Sequence, residues 1–169
     1  MQTLNKKYII KINDEKINNY LDARNLKFNR DKMINKKKIS SIEHYAWWFK
    51  NKRNIFFYEI NKDDKIYFWD RIFTYQNKSF IAAGWHSNFR KTNLYIILFL
   101  QKWQISRLKS KRLPWIAVVK KNNKIVYKLC NYLGYIDISK DKSDVWYKII
   151  KNFFGVNSKD FYFLKLNSN

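Results

Sequence analysis

Apolar residues recur along this chain at two spacings, and each change of spacing marks a boundary. Residues 7–11 alternate as a short strand, and 14–21 place Ile17, Tyr20 and Leu21 on one face of a helix. Residues 26–38 are polar and irregular. Ser40 with Glu43 three residues later makes a capping box, opening a helix whose expected buried face is Ile42, Tyr45, Ala46 and Phe49. Three strands in hairpin order follow at 54–60, 65–75 and 79–85, with turns at 61–64 and 76–78. Gly84 inside the third strand predicts a bulge or a close backbone approach. Thr92 or Asn93 then caps a helix to about residue 109 that is apolar around much of its circumference.

The last third alternates strand and helix. Residues 116–119 are a buried-strand run. Asn122 or Asn123 caps a helix with Ile125, Val126, Leu129, Tyr132 and Leu133 on its apolar face, and Gly134 ends it. A strand at 135–138 leads to a helix at 141–154, with Val145, Trp146, Ile149, Ile150 and Phe153 as its face. Gly155 stops that helix, and 161–166 closes the chain as a strand. The order predicts an α/β protein with a mixed twisted sheet of about six or seven strands and helices on both faces. The helical crossover further predicts that 115–119 runs parallel to 79–85 and diverges from it near Gly84.

Composition narrows the class. At 169 residues, 46% hydrophobic and 19% aromatic, the chain is expected to form one domain over 1–169 with a substantial core. No apolar run approaches the ~20 residues of a membrane helix. The N-terminus shows no secretory pattern, so a cytoplasmic protein is expected. Cys130 is the only cysteine and there are two histidines, which argues against an internal disulfide or a structural zinc site. The net charge of +22 implies attraction to polyanions, although the enrichment in Lys, Asn, Ile, Tyr and Phe also fits an AT-rich coding bias. Only Lys36–Lys37–Lys38 clusters, and no nucleic-acid-binding motif is present, so nucleic-acid binding is expected to be weak.

Two segments carry a resemblance. Val118–Val119, Asn123 and Leu133–Gly134–Tyr135 resemble the strand, asparagine and leucine–glycine–aromatic signature of the GNAT superfamily of acyl-CoA N-acyltransferases. Arg24–Asn25, Arg30, Met33, Ile39–Ser40, Glu43–His44 and Trp47–Trp48–Phe49 resemble the GNAT branch that modifies amino sugars and protein N-termini. Together they cover roughly residues 7–166.

The resemblance implies acyl transfer from acetyl-CoA, or a related acyl-CoA, to a primary amine on an amino-sugar nucleotide or a peptide N-terminus, without a metal. It implies that Arg90, Lys91, Thr92 and Asn93 hold the acyl-CoA pyrophosphate at a helix N-terminus. Gly84, Trp85, Val118, Val119 and Asn123 would border the pantetheine arm, and Arg24, Asn25 and His44 would contact the acceptor. Two departures stand out: Asn93 and Tyr95 replace the small residues of the phosphate loop, and Cys130 replaces the tyrosine that protonates the leaving thiolate. Cys130 is the candidate acid, His86 at the mouth of the slot a base acting through water, and Glu59 a second base. The competing expectations are a GNAT-shaped binding protein without catalysis and a basic nucleic-acid-binding protein.

Overall fold

The structure is a computed structural model that describes residues 4–50 and 54–167. Residues 1–3, where part of the N-terminal reading falls, lie outside the described residues. Seven strands form one mixed sheet in the order β1-β2-β3-β4-β5-β7-β6, and the chain divides into two compact units.

The first unit spans Met1–Arg71 and Gly84–Phe99. Strand β1 (Ile9–Lys11) pairs antiparallel with β2 (Asn54–Glu59), which pairs in turn with β3 (Lys65–Tyr75). Asn61 shapes the β2–β3 turn, its Oδ1 accepting from the backbone N–H groups of Asp63 and Asp64 at 2.9 and 2.7 Å. Helix α1 (Ile17–Asn25) buries Ile17, Tyr20, Leu21 and Ala23, and the short α2 (Lys27–Arg30) lies in the stretch expected to be irregular.

Helix α3 (Ser41–Lys50) opens on the expected capping box. Ser40 Oγ accepts from Glu43 N–H at 3.2 Å, while Glu43 Oε2 accepts from Ser40 N–H at 2.9 Å. The expected face is wrong, however. Ile42 is 82% and Phe49 71% exposed, and His44 is the buried residue. The helix is held by other groups: Tyr45 Oη donates to Asn18 at 2.5 Å, Trp48 Nε1 donates to Asp14 at 2.8 Å, and the rings of His44 and Trp48 pack on Tyr20.

The second unit spans Ile72–Ala83 and Leu100–Asn169. Gln76 and Asn77, at φ 47° and 59°, make a two-residue turn between β3 and β4 (Lys78–Ser87). Positive φ at both central residues matches the right-handed twist of a hairpin. Strand β5 (Trp115–Lys120) runs parallel to β4, with Ile81 opposite Trp115 and Ala82 opposite Ile116. On its other edge all six residues pair antiparallel with β7 (Phe161–Leu166), and β6 (Ile136–Asp137) adds two pairs beyond.

Helix α4 (Leu94–Leu108) buries Ile96, Ile97, Leu100 and Leu108 along its length. Helix α5 (Lys124–Tyr132) turns Cys130 and Val126 toward Val119 and Leu164, leaving Ile125 and Tyr132 of the expected face exposed. Helix α6 (Val145–Phe154) starts later than expected. Asp144 caps it, accepting from Trp146 N–H at 2.6 Å, and Gly155 at φ 61° ends it. Phe73, Phe80 and Phe153 pack edge-to-face and stacked beneath it.

Gly84 is a close approach, as one of its two expected roles. A Cβ built there would stand 2.8–3.0 Å from the Trp69 indole, a rigid group that has to shift. Gly84→Ala is therefore expected to destabilise the protein by ~1–3 kcal/mol in urea unfolding. In a Trp69→Leu background that cost should fall below ~0.5 kcal/mol, since the two residues couple by contact.

Candidate functional site

The loop after β4 forms a candidate anion site wholly within the first unit. Ser87 Oγ donates to the Phe89 carbonyl at 2.6 Å and lies 3.1 Å from Thr92 Oγ1, folding residues 87–92 into a tight bend. Asn93 caps α4, its Oδ1 accepting from Tyr95 N–H at 2.9 Å. Arg90, Lys91 and Asn93 are exposed, and the Arg90 guanidinium stands 6.0 Å from the centre of the Phe28 ring. The bend thus presents two cations and a helix N-terminus to solvent, an arrangement suited to a phosphate. Tyr95 is 76% exposed beside them, so its ring projects outward.

A separate candidate feature lies on β5 in the second unit. Every residue of β5 is in register with β7, whereas its ladder with β4 ends at Ile116. Among the described residues, Val118 and Val119 therefore have no ladder partner on that edge. Asn123 lies three residues past the strand and holds α5 through its carbonyl, which accepts from Tyr127 N–H at 3.1 Å. Its side chain makes no capping bond, contrary to the expected cap, and its amide remains available to a ligand.

The other expected site residues have different surroundings. Arg24 is buried, and it donates to the carbonyls of Lys37 and Asn35 at 2.6 and 3.1 Å and to Asn25 Oδ1 at 3.1 Å. Asn25 exchanges two bonds with the Ile39 backbone, at 2.8 and 3.0 Å. Arg30 Nε donates to the Asn25 carbonyl at 2.9 Å. These residues pin the loop 31–39, and burial together with the positive charge of Arg30 lowers the pKa of Arg24 while the Tyr20 phenol opposes it. Glu59 faces Lys65 across the β2–β3 ladder, with 3.4 Å between Oε1 and Nζ.

His86 is not at a loop mouth. It is the ninth residue of β4, 2% exposed, with its ring 4.7 Å from Tyr20 and 5.6 Å from Tyr67. His44 stacks on Tyr20 from 5.8 Å. Burial pulls the His86 pKa down to about 3, helped by the nearby charges of Arg24 and His44 and opposed by a hydrogen bond with the Tyr20 backbone. The imidazole is thus neutral at pH 7 and too weak a base to collect a proton there. Its Nε2 is buried without a hydrogen-bond partner.

Cys130 also differs from its expected role. It packs against Val119 and Leu164, and burial pushes its thiol up to about 12. An acid that weak cannot efficiently protonate a thiolate whose own pKa is near ~8.5. The pKa of the half-buried Tyr135 is raised as well, first by burial of its phenol and then by Cys130. Cys130 is a small core residue.

No protein-family model matches the chain, and no curated protein matches it in sequence. Solved structures do match it. An N-acetyltransferase from Staphylococcus aureus Mu50 aligns at TM-score 0.69 and 19% identity, over 95% of this chain and 98% of that one. The chain has the GNAT fold. The Salmonella typhimurium protein yncA, whose structure holds its cofactor acetyl-CoA, aligns at TM-score 0.67 and 12% identity, over 95% and 93% of the two chains. A GNAT-family acetyltransferase from Bacillus anthracis aligns at 0.62 and 15%, over 95% and 93%. At these identities the likeness is one of fold, and it agrees with the mixed sheet expected from the sequence. No described helix is long and apolar enough to cross a membrane.

The buried His86 makes a pH prediction. Its folded pKa of about 3 lies below the ordinary 6.5, so between those values only the unfolded chain binds the proton. The stabilisation is complete above pH 6.5 and is lost as pH falls toward 3. From pH 7 to pH 5, wild type should lose ~2 kcal/mol more than His86→Gln in urea unfolding. Parallel pH profiles for the two proteins would show that His86 titrates normally.

Proposed function

We propose that the protein is an N-acyltransferase that moves an acyl group from acetyl-CoA, or a related acyl-CoA, to a primary amine. The observation that carries the reading is the β5 edge at Val118 and Val119, where backbone groups lack a ladder partner in a fold shared with an acetyl-CoA-bound protein. An extended pantetheine arm, with its two amides, can pair there like an added strand. The Asn123 amide, unused in capping, is placed to hydrogen-bond the same arm.

The pyrophosphate is assigned to Arg90, Lys91, Thr92 and the first N–H groups of α4. Arg90 supplies a forked charge-assisted contact. Because Asn93 and Tyr95 put side chains where the family leaves backbone bare, affinity for CoA should be poorer than with a glycine loop. The resemblance alone implies that Gly84 and Trp85 border the arm and that 1–169 acts as one functional unit.

The chemistry follows from the groups that are unsuited to it. With His86 neutral and buried and Cys130 a very weak acid, catalysis rests on positioning a neutral amine against a held thioester. Glu59, partly exposed, is the remaining candidate base. Among acceptors, the net charge of +22 favours the anionic one, so a nucleotide-linked amino sugar ranks above a peptide N-terminus. The acceptor roles of Arg24, Asn25 and His44 then act through the loop they hold and the aromatic packing of α3.

Calorimetry with acetyl-CoA tests the donor site. Arg90→Ala is expected to weaken binding about tenfold or more, the loss of one charge-assisted contact. Equal affinities would remove this bend as the phosphate site. No binding to wild type at millimolar acetyl-CoA would leave a GNAT-shaped binding protein instead. In a thiol-release assay, Cys130→Ala should keep kcat within about twofold, because a group that donates no proton contributes nothing to that step.

A further inference from the structure

A groove of about 570 Å3 lies within the second unit, formed by the last two turns of α4 and the ends of α5 and β7. Its apolar wall is Ile105, Leu108, Leu113, Trp115, Leu133 and Leu166. Leu108 and Trp115 belong to a packed cluster with Ile81, so this wall is set by the core and not by mobile surface side chains. The volume falls within the ~300–1,000 Å3 range of small-molecule sites.

The charged residues of the lining, Lys102 and Lys109, share one sign. Lys102 on α4 and Lys109, the first residue of the 3-10 turn that follows it, both line the groove, with Ser106 between them in sequence. The Lys102 ammonium stands 5.5 Å from the centre of the Tyr132 ring, which fixes it at one rim. Among the described residues, no acidic one lines the groove. Beyond Lys109 the chain adds Lys111 and then Arg112, which is held at φ 49° in the left-handed region. A ligand entering here meets an apolar wall and a cationic rim.

We propose that this groove binds a linear amphipathic anion, a medium-chain alkyl carboxylate, with its chain along Ile105, Trp115, Leu133 and Leu166 and its carboxylate at the lysine rim. Length and sign both select the ligand: the wall rewards each methylene removed from water, and the rim rejects cations. The proposal rests on the groove alone and is independent of the acyl-transfer reading.

Isothermal titration with octanoate, decanoate and dodecanoate, each below its micelle concentration, tests it. One saturable site is expected, tightening about threefold to fourfold per added methylene. Lys102→Glu with Lys109→Glu should weaken dodecanoate about tenfold or more. Lys151→Glu with Lys159→Glu changes the net charge equally on exposed residues outside the groove, and should leave binding unchanged. All four positions are exposed, so the variants should fold. Equal weakening by both double variants would assign the binding to the general positive field and overturn the proposal. So would no saturable binding, or equal binding of dodecyltrimethylammonium, which would show sign-blind adsorption to the apolar wall.

Discussion

Backbone pairing along β5 is the constraint on which the second unit depends. One edge is satisfied over all six residues by β7, and the other is laddered only at Trp115 and Ile116. A buried backbone group without a partner costs ~1–3 kcal/mol, so a strand does not leave such an edge without water or a ligand to meet it. The strand can sustain it because the rest of β5 is fixed so firmly. Trp115 sits in one core cluster with Ile81 and Leu108, and Val119 in another with Cys130 and Leu164. The same clusters explain why Cys130 is small and apolar in behaviour. A phenol there would have to displace Val119 or Leu164, and the half-buried Tyr135 already packs against them.

Much of the element order could be read from local pattern. The bounds of β3 and β7 follow from alternation ended by turn residues, and those of α3 from a reciprocal capping box. The phase of α3 could not be read. By apolarity alone Ile42 and Phe49 belong inside, yet His44 and Trp48 are turned in because Tyr20 offers them a ring, while Asn18 and Asp14 take the Tyr45 and Trp48 donors. Those partners sit on the preceding helical segments, more than twenty residues away, where no periodicity within α3 can find them. The start of α6 was misplaced for a local reason. Asp141 and Asp144 are both capping residues, but Asp141 Oδ1 accepts from Ser143 and Asp144 N–H in a turn, leaving the cap to Asp144.

The site was less legible than the fold. Reading polar residues as chemistry requires them to remain in solvent, as Arg90 and Lys91 do. It misleads where tertiary packing encloses them. Arg24 looks like a ligand-binding arginine, but carbonyls eleven and thirteen residues on receive its guanidinium. His86 looks like a base, but Tyr20 and Tyr67 enclose it. The groove had no sequence signal, because its walls come from three separate chain segments and its lysines sit among many others.

The charge balance ties the two anion-binding readings together and also limits each. Against 35 basic residues stand 13 acidic ones, so even if every carboxylate paired once, 35 − 13 = 22 cations would have none. Several carboxylates are already engaged: Glu43 with Lys37 at 2.9 Å, Asp31 with Lys27 at 3.1 Å, and Asp144 with Lys165 at 3.8 Å. The surplus must be balanced by counterions, and its self-repulsion opposes the compact state. Any polyanion therefore gains from a field that no single residue creates, and that gain fades with salt over a Debye length of ~10 Å at 0.1 M. A built site differs in kind. Its discrimination would survive screening because it resides in contact geometry, as proposed for the helix N-terminus and Arg90 in one unit and for the apolar wall and lysine rim in the other. Binding at raised ionic strength thus separates a recognised ligand from one merely attracted by the protein's charge.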